Sequence, residues 1–196
     1  MDREEEETKD FIRRNAHNPM VGALRGQTFE AYAHRLLLRG GTFKTRKLSA
    51  PGEEELELPT SNLKLWKESS PYTELLENTI EGPCYLKPMN KNSGAIDSLT
   101  IHRNDNEEFV VGFQMTCNKT GHPIKRHLLV NVLKALPTSK FPRKFRLYFV
   151  LPPDVYDSSS AYFVEQIFHT EKGQETQNVL KEIEDRVEQW ALRVPV

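Results

Sequence analysis

Three polar side chains set in apolar surroundings are the residues here that could do chemistry. They are Asp97 after Ala95-Ile96, Gln114 after Phe109 to Phe113, and Thr116 two residues further on. An acid inside an apolar strand is unfavourable unless it is paired or ligated. Two neighbouring strands that each offer one oxygen at a similar height make a candidate site for a hard divalent cation. Mg²⁺ takes oxygen ligands and keeps several waters. Glu30, one helical turn before His34, is a candidate further carboxylate, and His122 and Lys125 follow Asn118 closely as candidate phosphate contacts. Each residue also has an ordinary reading. Asp97 could face solvent, Gln114 and Thr116 could be the polar half of an alternating strand, and most helical glutamates are solvated. No local Ser/His/Asp or Cys/His pattern for nucleophilic catalysis occurs, and no Gly-rich phosphate loop. Cys84 and Cys117 are isolated, which suits a reducing compartment and matches no structural zinc spacing.

The elements that must position these residues follow from periodicity and breakers. Residues 95–103 and 108–116 read as a hairpin that presents Asp97 and Gln114. Glu30 falls in a helix over 26–40, with Phe29, Ala33, Leu36 and Leu37 at helical spacing and Gly40-Gly41 as its end. Before it, 3–16 reads as a polar, acidic helix broken by Asn18-Pro19. A strand over 42–48, an acidic loop or hairpin over 49–59, a strand at 63–66, a short helix over 71–78 and a short segment at Tyr85-Leu86 come next. Pro123 starts a helix whose apolar face includes Ile124, Leu128 and Leu136. Strands over 145–151 and 162–168 precede a long amphipathic helix over 173–192. The plan is α/β, a mixed central sheet flanked by helices. A length of 196 residues fits a peripheral helix over 1–21 and a single domain over 22–196.

The net charge of −1 hides an uneven distribution. Between Phe109 and Pro153 there is no acid but eight Lys and Arg, and 25–47 adds six more against Glu30 alone. Acids gather at 2–10, 53–57 and 171–188. One basic face that binds phosphate backbones is expected, although a solvated, unevenly charged surface would read the same way. No apolar run approaches the length of a membrane span, and the acidic start has no signal-peptide core.

Taken jointly, a helix with Glu30, a strand with Asp97 and a next strand ending Gln114-x-Thr116 follow the order of PD-(D/E)xK nucleases. Over residues 22–150 the chain resembles the nuclease-like C-terminal domain of the Crinkler family. The resembling residues are Arg25 to Glu30 with Ala33-His34, Gly40 to Phe43, Ala95 to Ser98, Phe113 to Thr116 and His122 to Lys125. The resemblance implies a restriction-endonuclease-like core and a Mg²⁺- or Mn²⁺-dependent DNA endonuclease. Asp97 would be the central metal ligand, Glu30 an auxiliary one, and Gln114 a neutral oxygen at the second acidic position. Thr116 stands where the family has its lysine, so Lys125, His122 or Lys119 would have to supply the cation. Nucleic-acid contacts are expected from Lys44, Arg46, Lys119, His122, Lys125 and Arg126. The resemblance further implies a secreted effector acting in a host nucleus, with DNA as partner, RNA left open, host nuclear proteins as further partners, and an NTPase domain N-terminal to this one. The alternative is a catalytically impaired module of the same fold that binds nucleic acid or nuclear proteins.

Overall fold

The computed structural model describes residues 3–66, 83–89, 96–103, 108–119, 124–125, 129, 145–158, 164–166, 168–169 and 186–196. In chain order these form α1 (Arg3–Arg14), a 3-10 turn (Pro19–Val21), α2 (Gly22–Arg39), β1 (Gly41–Lys47), β2 (Glu54–Leu58) and β3 (Asn62–Trp66). There follow β4 (Cys84–Pro88), β5 (Ser98–Arg103), β6 (Glu108–Met115), β7 (Ile124–Lys125), β8 (Phe145–Leu151), α3 (Pro153–Tyr156), β9 (Phe168–His169) and β10 (Val187–Arg193). The expected helices over 71–78 and 123–136, and the first part of that over 173–192, lie outside the described residues, apart from the helical Leu129 and from Ile124 and Lys125, which are in the strand β7 and not in a helix.

Eight strands make one mixed sheet in the order β2-β1-β10-β8-β6-β5-β4-β3. β6, β8 and β10 run parallel, as do β3 and β4, and the remaining neighbours are antiparallel. β8 reads FRLYFVL and is buried at all positions but Arg146. Such near-continuous apolar strands suit a sheet covered on both faces. On one face Val111, Phe113 and Met115 of β6 join Tyr85, Tyr148, Val150 and Trp190. They pack with Phe29, Ala33, Leu36 and Leu37 of α2 and with Ile12 of α1, the helix read as peripheral. On the other face Val110, Leu99, Phe145, Leu147, Phe149 and Ala191 pack with Ile124, Leu129 and Val155. Side chains alternate across a strand, so odd positions of β6 belong to the α2 side and even ones to the far side. On the α2 side Tyr85, Phe113, Tyr148 and Trp190 form a row across the sheet, with ring centroids 5.9–6.2 Å apart.

Two expectations are corrected. Residues 187–192, read as the end of a long helix, belong to the strand β10, paired with β8 in parallel and with β1 in antiparallel. Val187, Trp190 and Ala191 recur at a spacing that a helix face would also show. The strand, buried on both faces, is apolar enough on each to imitate it. Val164 to Gln166, expected within a strand, is not in one. Gln189 instead clasps Gln166, accepting from its backbone N–H and donating to its carbonyl.

α2 ends at Gly40, whose N–H donates to Leu36 O and Leu37 O. Its φ of 75° is a conformation that side chains other than glycine's adopt with strain. A methyl group there would meet the carbonyl oxygen of Leu58 at 2.5 Å.

Candidate functional site

Asp97 stands one residue before β5, where the hairpin ladder loses its regularity. Ser98 pairs with Phe113, yet the Asp97 N–H also donates to Phe113 O at 2.7 Å. The next β6 amide facing this side belongs to Met115, and it donates to Asp97 Oδ2 at 2.6 Å. The carboxylate therefore stands in for a ladder carbonyl in the plane of the sheet. Burial pushes its pKa up to about 6. The Met115 N–H works against that rise, the charge of Glu30 adds to it, and Lys87 opposes it.

Glu30 approaches from α2 with its side chain partly exposed. Its Oε1 lies 3.8 Å from Nε2 of the buried His34. His34 Nδ1 is 2.7 Å from the Tyr85 hydroxyl, which is 2.6 Å from Ser98 Oγ. Burial lowers the His34 pKa, with Glu30 opposing, so the ring is neutral near pH 7. A neutral ring with its proton on Nε2, towards Glu30, accepts from Tyr85, and Tyr85 in turn accepts from Ser98. The phenol, buried, is pushed far above the ordinary range and keeps its proton. The buried polar chain thus runs from Glu30 through His34 and Tyr85 to Ser98, the residue after Asp97, and the charge of Glu30 acts on Asp97.

Gln114 is 3% exposed, and its Oε1 is buried without a hydrogen-bond partner among the described residues. As an even β6 position it stands on the face away from α2, so the hairpin does not bring Gln114 to Glu30. Thr116, just past β6, donates its N–H to Val150 O, and its Oγ1 accepts from the Asn118 N–H at 3.0 Å. Thr116 and Glu30 line a cavity of ≈ 730 Å³ together with Asn15, His17, Gln27 and Lys119. Among the described residues no three His, Cys, Asp or Glu side chains gather in a way that could hold a metal ion.

The expected cations are dispersed. Lys125 is not at a helix start. It is exposed in β7, paired with His169 of β9, beside Ile124, which is buried in the far-face cluster. Lys119 Nζ lies 3.5 Å from His17 Nδ1. Lys44 is 3.9 Å from Glu53, and Arg46 lies over the Tyr156 ring at 5.3 Å. Both belong to β1, three strand spacings from β6, or roughly 14 Å. His122 and Arg126 lie outside the described residues. Acid-rich stretches return to the basic ones in space: Glu5 meets Arg39, Glu53 approaches Lys44, and Glu188 meets both Lys47 and Arg146, while the isolated Asp154 meets Arg25.

Sequence reasoning passed over Lys87 and the His34–Tyr85–Ser98 chain. Its one available signal was the placing of Tyr85 and Lys87 two apart in a strand, hence on one face. No family model, no curated protein and no solved structure matches the chain. Among the described residues no helix is long and apolar enough to cross a membrane.

Proposed function

We propose that this chain is a metal-dependent phosphodiesterase domain of the PD-(D/E)xK kind, with a restriction-endonuclease-like core, acting on DNA in a host nucleus as a secreted effector. The observation that supports the reading is the Asp97 carboxylate just before β5, held by the Met115 N–H and raised in pKa by burial and in part by the charge of Glu30 on α2. The order of parts supports it: a helix with Glu30, the antiparallel strands β4, β5 and β6, and β8 parallel to β6. So does the cavity beside Glu30, large enough for a nucleotide unit.

The donor set fits Mg²⁺ or Mn²⁺. Asp97 and Glu30 offer two hard oxygen ligands, and Mg²⁺ commonly takes one or two carboxylates and fills its remaining positions with water and substrate phosphate. The raised pKa of Asp97 marks a carboxyl that ionises at a cost in its buried seat, and a nearby cation would offset that cost. When bound, the ion would polarise the phosphoryl group and favour deprotonation of water. Asp97 is oriented for this by the Met115 N–H, and Glu30 by its approach to His34.

The test has two arms. Mg²⁺ should raise the melting temperature of wild type at pH 7.5, because a ligand of the native state stabilises it by mass action, and should leave Asp97→Ala unmoved. Plasmid DNA should be cut in Mg²⁺ by wild type and not by Asp97→Ala. Equal Mg²⁺ shifts in both proteins, or equal cutting by both, would refute the assignment. The second reading, an impaired module that binds nucleic acid or nuclear proteins, draws on Thr116. It carries no charge, and its hydroxyl is engaged with the Asn118 N–H. DNA binding and a Mg²⁺ shift without cleavage would favour it.

A further inference from the structure

We propose that Lys87 is the phosphate-contacting cation of this site, supplied from β4 rather than from the end of β6. The inference rests on the phosphodiesterase reading above and adds a residue to it. The strand register carries it. Tyr85 lies opposite Thr100 and Leu86 opposite Leu99, so the next step sets Lys87 beside Ser98, the neighbour of Asp97. Tyr85 belongs to the α2-side cluster and bonds His34 and Ser98, and Lys87, two residues on, shares that face. Its charge acts on Asp97 and on His34 alike, in keeping with that register. Of the other candidate cations, Lys125 lies beside the far-face Ile124, and Lys119 lines the cavity next to Glu30, so that Lys87 and Lys119 would flank the carboxylates from the two ends of the site.

The register thus sets Lys87 next to the strand position that carries Asp97 and, through Tyr85, close to the His34–Glu30 pair. A phosphodiester brought to the carboxylates would need a cation on its non-bridging oxygens, or like charges would repel it. In hydrolysis the water oxygen bonds to phosphorus, the ester P–O bond breaks with its electron pair on the leaving oxygen, and the water's proton ends on that oxygen. Lys87 donates a hydrogen bond to the phosphoryl oxygen whose charge grows. Removing one such donor typically lowers kcat by about 10²–10³-fold.

The experiment compares wild type, Lys87→Met and Lys87→Arg. Methionine keeps the apolar stem that a half-buried lysine packs, so the fold is retained, and circular dichroism checks this. Lys87→Met should lose about 10²-fold in kcat with a small change in KM, and Lys87→Arg should recover part of it. An independent readout is amine acetylation followed by mass spectrometry in Ca²⁺, which holds substrate without turnover. A single-stranded oligonucleotide should protect Lys87 more than Lys44 or Lys125. Cleavage by Lys87→Met at the wild-type rate overturns the proposal and leaves the nuclease reading standing. If wild type cuts nothing, the nuclease reading fails by itself and the footprint decides. Protection of Lys87, with weaker oligonucleotide binding by Lys87→Met, upholds the phosphate contact. Acetylation unaffected by the oligonucleotide overturns it.

Discussion

A carboxylate that accepts a backbone hydrogen bond and still has a raised pKa is held in place at a cost to the fold. Asp97 is such a group, with an ordinary value of 3.8 and a folded value of about 6. Between these values the native protein keeps a proton that the unfolded chain has lost, so stability falls as pH rises from about 4 to about 6. Asparagine can accept from the Met115 N–H without ionising. Asp97→Asn is therefore expected to match wild type below pH 4 and to exceed it by on the order of 1–3 kcal/mol at pH 7, read by urea unfolding without divalent cations. A difference that did not vary with pH would mean that burial is not what raises Asp97. Asp97 stood out in the sequence because an acid beside Ile96 and Leu99 needs an explanation. Its partner at Met115 did not, since a backbone amide leaves no mark on side-chain pattern.

Elements were legible where the local pattern and the tertiary setting agree. α2 shows its apolar face and its Gly40 stop in the sequence, and the β5–β6 hairpin shows its two runs and their polar break. β10 was hidden because a strand buried on both faces carries no period-2 signal. The site inherits the same difficulty. Alternation puts Gln114 and Met115 on opposite faces, but only the packing of α2 decides which face meets Glu30. Glycines in the helix and at its end make opposite predictions. Gly40→Ala would place a methyl group on the backbone of Leu58, Pro59 and Thr60 at 2.5–2.7 Å, in a left-handed conformation. A loss of at least about 2 kcal/mol is expected from denaturant midpoints. Gly26, inside α2 with nothing within 4 Å of an added methyl, should gain about 0.5–1 kcal/mol as alanine.

Over the whole molecule, the segregation of charge along the chain is partly undone by folding. Arg25 is 4% exposed, and it bonds Ile12 O and Asp154, tying α1, α2 and α3 together. Asp154→Ala leaves that guanidinium buried without its carboxylate and should cost about 3–5 kcal/mol in thermal or chemical unfolding. A cost under about 1 kcal/mol would mean that water reaches Arg25. Composition alone could not reveal these pairings, because Glu188 meets Lys47 across 141 positions of chain. Nucleic-acid affinity should consequently depend on fewer phosphate contacts than a count of Lys and Arg suggests. A titration across salt concentrations should give a shallow slope, of roughly two to four contacts. A slope near ten would restore the single broad basic face.

The position of β10 bears on how the chain reaches its native state. It is the last strand in sequence, yet it lies between β1 and β8. Until 187–193 arrive, β1 with β2 is one fragment and β8, β6, β5, β4 and β3 are another, each with an open edge towards the gap. Pairing β10 with β1 closes a loop of well over a hundred residues, which slows the final step, and an unpaired inner edge is a template for another chain. A nascent polypeptide of this sequence would therefore pass through a stage at which its own unfinished sheet is the surface most prone to association, and chaperone capture at that stage would govern the yield of folded protein.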